Sequence, residues 1–319
     1  MRIVYMGTPD FAVPPLRSLA ETEYEVAAVI TQPDKPKGRG KTLMPTPVKE
    51  EAVRQGIPVY QPVRVRDPEF VEVLRGLQPD LIVVAAFGQI IPETILDMPK
   101  FGCINIHASL LPKYRGAAPI QYAVIDGEKE SGVTIMKMGK GLDTGDMISR
   151  SAVPIAADET GGSLFEKLSA AGAELLVKTL PHIFDGTAVY EKQPEESPTP
   201  YAAMITKKMG LLDFSKSAEE LERLVRGLNP WPSAYTFLNG KTLKVWKADA
   251  AVSRKNEENR DRIPGTVVSA DQEGIRVACG NGCLILQEVQ IEGKKRMDSA
   301  SFLRGCKVEP GTRLMDHKE

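Results

Sequence analysis

The chain has 319 residues, 42% of them hydrophobic and 26% charged, with a formal net charge of −1. That length suggests two domains of roughly 100–200 residues each, and the composition excludes extensive disorder and collagen-like structure. Apolar runs such as Leu81 to Phe87 fall far short of the ~20 residues that cross a bilayer, and the opening MRIVYMGTPD lacks signal or transit character, so no membrane and a cytoplasmic location of bacterial type are expected.

In chain order, Arg2–Met6 reads as a strand, Phe11–Leu19 as a helix, Glu25–Thr31 as a strand and Pro45–Gln55 as a helix. Pro58–Tyr60 is a short strand. Asp67–Leu77 is a helix with Asp67 at its N-cap and Pro68 in its first turn, a favoured pairing. Leu81–Ala86 is a continuous apolar strand of the kind buried on both faces. Cys103–His107 and Val133–Met138 are further strands, and Gly161–Phe184 is a long helix. Val- and Ile-rich strands alternating with helices predict a βαβ, mostly parallel sheet. EKQPEESPTPY, Glu191 to Tyr201, has almost nothing to bury and reads as a linker. Ala218–Leu228 then has helical spacing. Ala234–Leu238, Thr242–Trp246, Gly265–Ser269, Gly274–Cys279 and Cys283–Gln290 are strand-like, with Asn239-Gly240 and Asn281-Gly282 as hairpin turns. Five short strands and a helix fit a small OB-like barrel, a fold that often binds nucleic acid.

Residues 1–207 carry 22 Lys and Arg against 26 Asp and Glu, and residues 208–319 carry 19 against 16. This is a slight basic bias toward the C-terminal part. Cys103, Cys279, Cys283 and Cys306 form no CxxC pair, and His107, His182 and His317 lie far apart, so free thiols and no metal are expected.

Asn105 and His107 stand two residues apart on an apolar strand, so both side chains point to one face. The strand's carboxyl end is where open α/β sheets bind ligands. A satisfied core histidine beside an edge asparagine fits the same spacing. In SLLPKYRGAAP, Leu110 and Leu111 precede Pro112; such loop leucines either fold back into the core or wall an apolar pocket. GKGLDTGD is neither a P-loop nor a dinucleotide fingerprint. Its Asp143 and Asp146 are either turn residues or a carboxylate brought to His107. An Asn/His/Asp trio with no Ser or Cys nucleophile suits acyl transfer to an external amine, because such an enzyme must stabilise an oxyanion and handle a proton.

NIHASLLPKYRGAAPI, GVTIMKMGKGLDTGD, IVYMGTPDFA, TQPDKPKGRGKTLMPTPVK and LNPWPSAYTF together resemble the folate-dependent formyltransferases over nearly the whole chain. The resemblance implies a Rossmann-like catalytic domain over residues 1–190, a linker over 191–206 and an OB-like tRNA-binding barrel over 207–319. It implies 10-formyltetrahydrofolate as formyl donor and the α-amino group of methionine on initiator tRNA as acceptor, in the service of translation initiation. Asn105, His107 and Asp143 match the family's catalytic trio. Ser109, Leu110, Leu111 and Pro112 match its folate-contacting motif. Neither a metal nor an obligate protein partner is implied. Lys35, Lys37, Arg39 and Lys41 form a basic stretch that small-molecule formyltransferases lack, and it is expected to meet the tRNA; Pro33 and Pro36 are expected to keep it out of regular structure. Lys241, Lys244, Lys247, Lys294, Lys295 and Arg296 are the barrel's candidates for phosphate contacts. The rival readings are a small-molecule formyltransferase, a formyltetrahydrofolate hydrolase, and a sheet-plus-barrel RNA-binding protein with a vestigial pocket.

Overall fold

The computed structural model describes residues 1–37, 42–251, 263–315 and 317. The chain divides into two compact units. One comprises Met1–Pro119, Glu130–Pro154 and Phe165–Ala202, the other Ile120–Lys129, Ile155–Leu164 and Ala203–Glu319.

The elements run β1 (Arg2–Gly7), α1 (Val13–Ala20), β2 (Glu25–Ile30), β3 (Lys35–Lys37), β4 (Thr42–Met44), α2 (Pro47–Arg54), β5 (Val59–Tyr60) and α3 (Pro68–Gly76). They continue through β6 (Leu81–Ala85), α4 (Glu93–Leu96), β7 (Cys103–His107), α5 (Pro119–Ile125), β8 (Glu130–Lys137), β9 (Met147–Pro154) and α6 (Gly161–Asp185). The first unit is built on a seven-stranded sheet in the order β5-β2-β1-β6-β7-β8-β9. β5 through β7 in that order are parallel, β8 adds antiparallel to β7, and β9 adds antiparallel to β8. Val4, Met6, Ile82 and Val84 pack on one face with Val71 and Leu74 of α3. The opposite face takes Tyr5, whose hydroxyl donates to the Ala12 carbonyl at 2.6 Å. There α6 crosses so closely at Gly172 that a Cβ would come within 2.9 Å of Ile106.

The expected strands and helices are present with ends shifted by a few residues, and the mostly parallel sheet is borne out. Local features differ, among them the short helix α4, which the sequence pattern does not announce. Asp67 occupies the α3 N-cap, yet its side chain makes no capping bond. The Lys35–Lys37 stretch is not irregular: it pairs with Thr42–Met44 as an antiparallel ribbon, where Pro36 needs no donor because a two-stranded ribbon is all edge. β9 was not among the expected strands. It pairs with β8 along its length and with Glu191 at buried Met147, and from Ser149 onward it alternates half-buried with exposed residues, so a position near the sheet's edge asks little hydrophobicity of it.

The second unit continues with α7 (Ala218–Gly227), β10 (Ala234–Leu238), β11 (Lys241–Ala251), β12 (Val267–Asp271), β13 (Gly274–Ala278), β14 (Cys283–Ile291), β15 (Met297–Asp298) and α8 (Ser299–Gly305). α7 opens on a capping box in which Ser217 and Glu220 satisfy each other's backbone N–H. Its Leu221 and Val225 pack with Leu243, Val245, Leu284, Leu286 and Val289. The sheet runs β10-β11-β14-β13-β12. Asn239 and Gly240 both have positive φ, and they join β10 to β11 as the two-residue turn that favours Asn-Gly. The outer strands are drawn together by one segment: Met315 exchanges backbone bonds with Phe237, while Thr312 and Leu314 bond to Val267 and Gly265. That segment links the two outer strands and closes the sheet toward a barrel.

Charge is managed locally in the first unit. Glu51 of α2 is buried and bonded to Arg17, Arg54 and Gln55. These hydrogen bonds, Arg17's first, hold its carboxyl down at about 2. A carboxyl lowered on folding stabilises the protein above its unfolded value of ~4.3 and loses that contribution as pH falls toward 2. Glu51→Gln should cost about 1–3 kcal/mol at pH 7 and flatten the acid limb of stability between those two values. Urea unfolding measured across that range checks it; a wild-type acid limb in the variant would contradict the assignment.

Candidate active site

β7 ends at the sheet's carboxyl edge with Asn105 and His107 on one face, Asn105 level with Val84 of β6 and Met136 of β8. The Asn105 side chain is half-buried and has no hydrogen-bond partner among the described residues. His107 is buried, and its Nε2 lies 3.0 Å from the Tyr114 carbonyl. A carbonyl only accepts, so Nε2 carries its hydrogen. Nδ1 is therefore the atom free to take up or release a proton, and it lies 3.7 Å from Asp143 Oδ1. The other carboxylate oxygen of Asp143 accepts from the Gly116 N–H at 3.0 Å.

These atoms are held by unusual backbone. Tyr114 and Asp143 both adopt positive φ, 56° and 54°, uncommon for residues other than glycine. The Tyr114 N–H is fixed by the Thr199 hydroxyl at 2.7 Å. Gly116 sits at φ 126°, and a Cβ there would meet the Ala202 carbonyl at 2.6 Å. In the Asp143 loop, a Cβ on Gly145 would fall 1.7 Å from the Lys137 carbonyl. The glycines of RGAAP and LDTGD therefore permit close backbone approach.

The Ser109–Pro112 segment follows directly. Ser109 is fully buried and donates to the Lys113 carbonyl at 2.6 Å, closing a tight turn. Thr134 of β8 bridges the segment, donating to Ser109 O and accepting from Leu111 N. The Leu111–Pro112 bond is cis. Leu110 and Leu111 part ways: Leu111 packs fully buried with Met136 and Met147, whereas half-buried Leu110 lies over Gly132. Cys103 packs in the core, where burial pushes its thiol up to about 12. Lys35 is exposed on the β3–β4 ribbon, to which Lys37 contributes backbone. Arg39 and Lys41 lie outside the described residues.

Residues that the sequence pattern passed over complete the site. Gln193 is buried and bonds to the Asp143 and Gly145 carbonyls. Arg115, also buried, bonds to Gln193 and to the carbonyls of Pro194 and Glu195. Ser197 bonds to Pro112 O. The stretch expected to bury almost nothing therefore lies along the site through residues 191–202, with Glu191 paired to Met147 and Ala202 to Gly116. Its polar and proline-rich composition conceals this because it is held by hydrogen bonds rather than by apolar burial. Among the described residues, no helix is long and apolar enough to cross a membrane.

Comparison with known proteins adds an independent line. Residues 1–180 match the formyl transferase family, and residues 204–307 match the formyl transferase C-terminal domain. A methionyl-tRNA formyltransferase of Agathobacter rectalis is 57% identical over 312 residues, covering 98% of this chain and 99% of its own. One from Bacillus subtilis is 54% identical, covering 97% and 96%. Among solved structures, the sugar 3N-formyl transferase WlaRD, in the presence of dTDP and 5-N-formyl-THF, has a TM-score of 0.65 at 20% identity, covering 92% of this chain and 99% of its own. HypX from Aquifex aeolicus in complex with tetrahydrofolic acid has a TM-score of 0.60 at 18% identity, covering 95% and 47%. At those identities the two structures speak for the fold alone.

Gly116 gives a direct test of the site's backbone. Gly116→Ala combines a forbidden φ with a collision against Ala202 O, and it should lower stability by about 1–3 kcal/mol. Urea denaturation measures it; unchanged stability would mean that the close approach does not exist.

Proposed function

The chain belongs to the formyl transferase family, and on that premise we propose how its residues carry out methionyl-tRNA formylation. The donor is 10-formyltetrahydrofolate. The acceptor is the α-amino group of methionine esterified to initiator tRNA, and the product, N-formylmethionyl-tRNA, serves translation initiation in the bacterial cytoplasm. Residues 1–190 form the catalytic domain, residues 191–206 lead out of it, and residues 207–319 form the tRNA-binding barrel.

The neutral amine attacks the formyl carbon. As the new C–N bond forms, the carbonyl electron pair moves to oxygen. The Asn105 amide and the Nδ1–H of a protonated His107 donate to that oxygen, aimed at charge that develops in the transition state. Asp143 Oδ1 sustains the charged imidazole. The intermediate collapses by re-forming C=O and breaking the bond to N10. One proton leaves the amine and one arrives at N10, and Asp143 takes part in relaying it. The half-buried Asn105 amide, two residues from His107 and without a hydrogen-bond partner among the described residues, is the observation that carries this reading, since such an amide is ready for an oxyanion.

Ser109, Leu110, Leu111 and Pro112 shape the folate wall, with Leu111 acting from beneath through its packing on Met136 and Met147. Lys35, Lys37, Arg39 and Lys41 meet the acceptor end of the tRNA. On the barrel, Lys244 and Arg296 lie 5.4 and 5.0 Å from the Trp246 ring, a combination of cation and aromatic surface suited to nucleic acid.

Labelled 10-formyltetrahydrofolate, supplied with charged initiator tRNA, uncharged tRNA or neither, tests the assignment. Label should appear on the charged tRNA alone; loss of formyl to water in all three mixtures would favour a hydrolase. At saturating substrates, His107→Ala, Asp143→Ala and Asn105→Ala should each lower kcat by ~10²–10³. A folded variant with near-normal turnover would remove that residue from the mechanism.

A further inference from the structure

We propose that Gln193 is a positioning residue for formyl transfer: its side-chain amide fixes the loop that carries Asp143, and so sets the aim of the Asp143 carboxylate at His107. The inference rests on the role proposed above for Asp143. Gln193 lies about fifty residues along the chain from that loop, yet both hydrogens of its Nε2 are spent there, on Asp143 O at 3.0 Å and Gly145 O at 2.7 Å. Its Oε1 accepts from Arg115 Nε at 3.0 Å. The orientation of the amide follows from chemistry. A guanidinium only donates and carbonyls only accept, so a flipped amide would lose all three bonds.

Arg115 makes the arrangement rigid. It is 8% exposed and has no carboxylate partner among the described residues. Its remaining donors instead hold Pro194 O at 2.7 Å and Glu195 O at 3.0 Å, the residues directly after Gln193. The guanidinium thus fixes Gln193 from both its side chain and its backbone, while Gln193 grips the loop. The loop needs such a grip. Asp143 has φ 54°, a conformation uncommon in residues other than glycine though one that aspartate tolerates better than most. Its carboxylate stands 3.7 Å from His107 Nδ1, a separation that a small loop shift would change substantially. Displacements of ~1 Å in catalytic geometry cost up to ~10²-fold in rate.

A merely structural glutamine would lower stability and affect every variant background alike, whereas a positioning residue acts only while Asp143 is present. Gln193→Ala and Gln193→Glu are therefore assayed in the full chain, alone and with Asp143→Ala. The glutamate keeps the size but turns both donors into acceptors facing carbonyls, so it remains informative if the alanine variant folds poorly. We expect kcat to fall ~10- to 100-fold in either single variant, with KM for 10-formyltetrahydrofolate and for charged tRNA moving less than ~3-fold, the mark of an interaction felt in the chemical step rather than in binding. In the Asp143→Ala background the same substitutions should change kcat by less than ~2-fold. Equal losses in both backgrounds would overturn the proposal. So would near-normal kcat in the Gln193 variants beside an impaired Asp143→Ala, an outcome that leaves the role of Asp143 standing. A silent Asp143→Ala would overturn that role and this inference with it.

Discussion

A single acceptor bond organises the site. The Tyr114 carbonyl engages His107 Nε2 and thereby turns Nδ1, the only ring nitrogen left to change its protonation, toward Asp143. Without that bond the imidazole has two tautomers and no defined working edge. Much of the surrounding structure keeps Tyr114 and Asp143 where the bond requires them. Tyr114 is bent into positive φ and anchored by Thr199. Asp143 is anchored by Gly116 N–H at its carboxylate and by Gln193 at its carbonyl. Two backbone segments far apart in sequence, residues 114–116 and 191–202, thus hold one histidine edge against one carboxylate.

The parallel sheet supplies the position and little of the chemistry. Asn105 and His107 lie at the carboxyl end of β7, inside a layer whose other members are almost wholly apolar. Polar groups appear where the strands stop: Thr8 and Gln32 both bond to Phe87 O, tying together the loops after β1, β2 and β6. This is the edge at which open α/β sheets place their ligands. The buried sheet also lowers the local dielectric, which strengthens a correctly aimed donor and penalises a misdirected one.

The sequence made the scaffold legible wherever apolar burial builds it. Leu81–Ala85 reads as a two-faced buried strand and is fully buried. The Asn239-Gly240 turn and the heptad-like spacing of Leu221, Val225 and Leu228 in and after α7 announce themselves in the same way. The pairing of Asn105 with His107 could be placed on one face, but spacing alone left a core histidine equally open; the long motifs around it tied it to a family. Hydrogen-bonded structure was not legible. Residues 191–202 look like a tether because Gln193, Ser197 and Thr199 work through polar atoms, which leave no periodic trace. The same holds for the 311–315 segment that closes the barrel through backbone bonds. Leu110 and Leu111 read alike as neighbouring apolar loop residues, and only the turn closed by Ser109 and Lys113 separates their environments.

The central claim, that His107 presents Nδ1 to Asp143 because Nε2 is committed to Tyr114, is tested most directly by nitrogen-15 NMR of the histidine ring across a pH titration. The account predicts that neutral His107 carries its hydrogen on Nε2 and that titration changes the protonation of Nδ1. A neutral form protonated at Nδ1, with Nε2 the titrating atom, would contradict it.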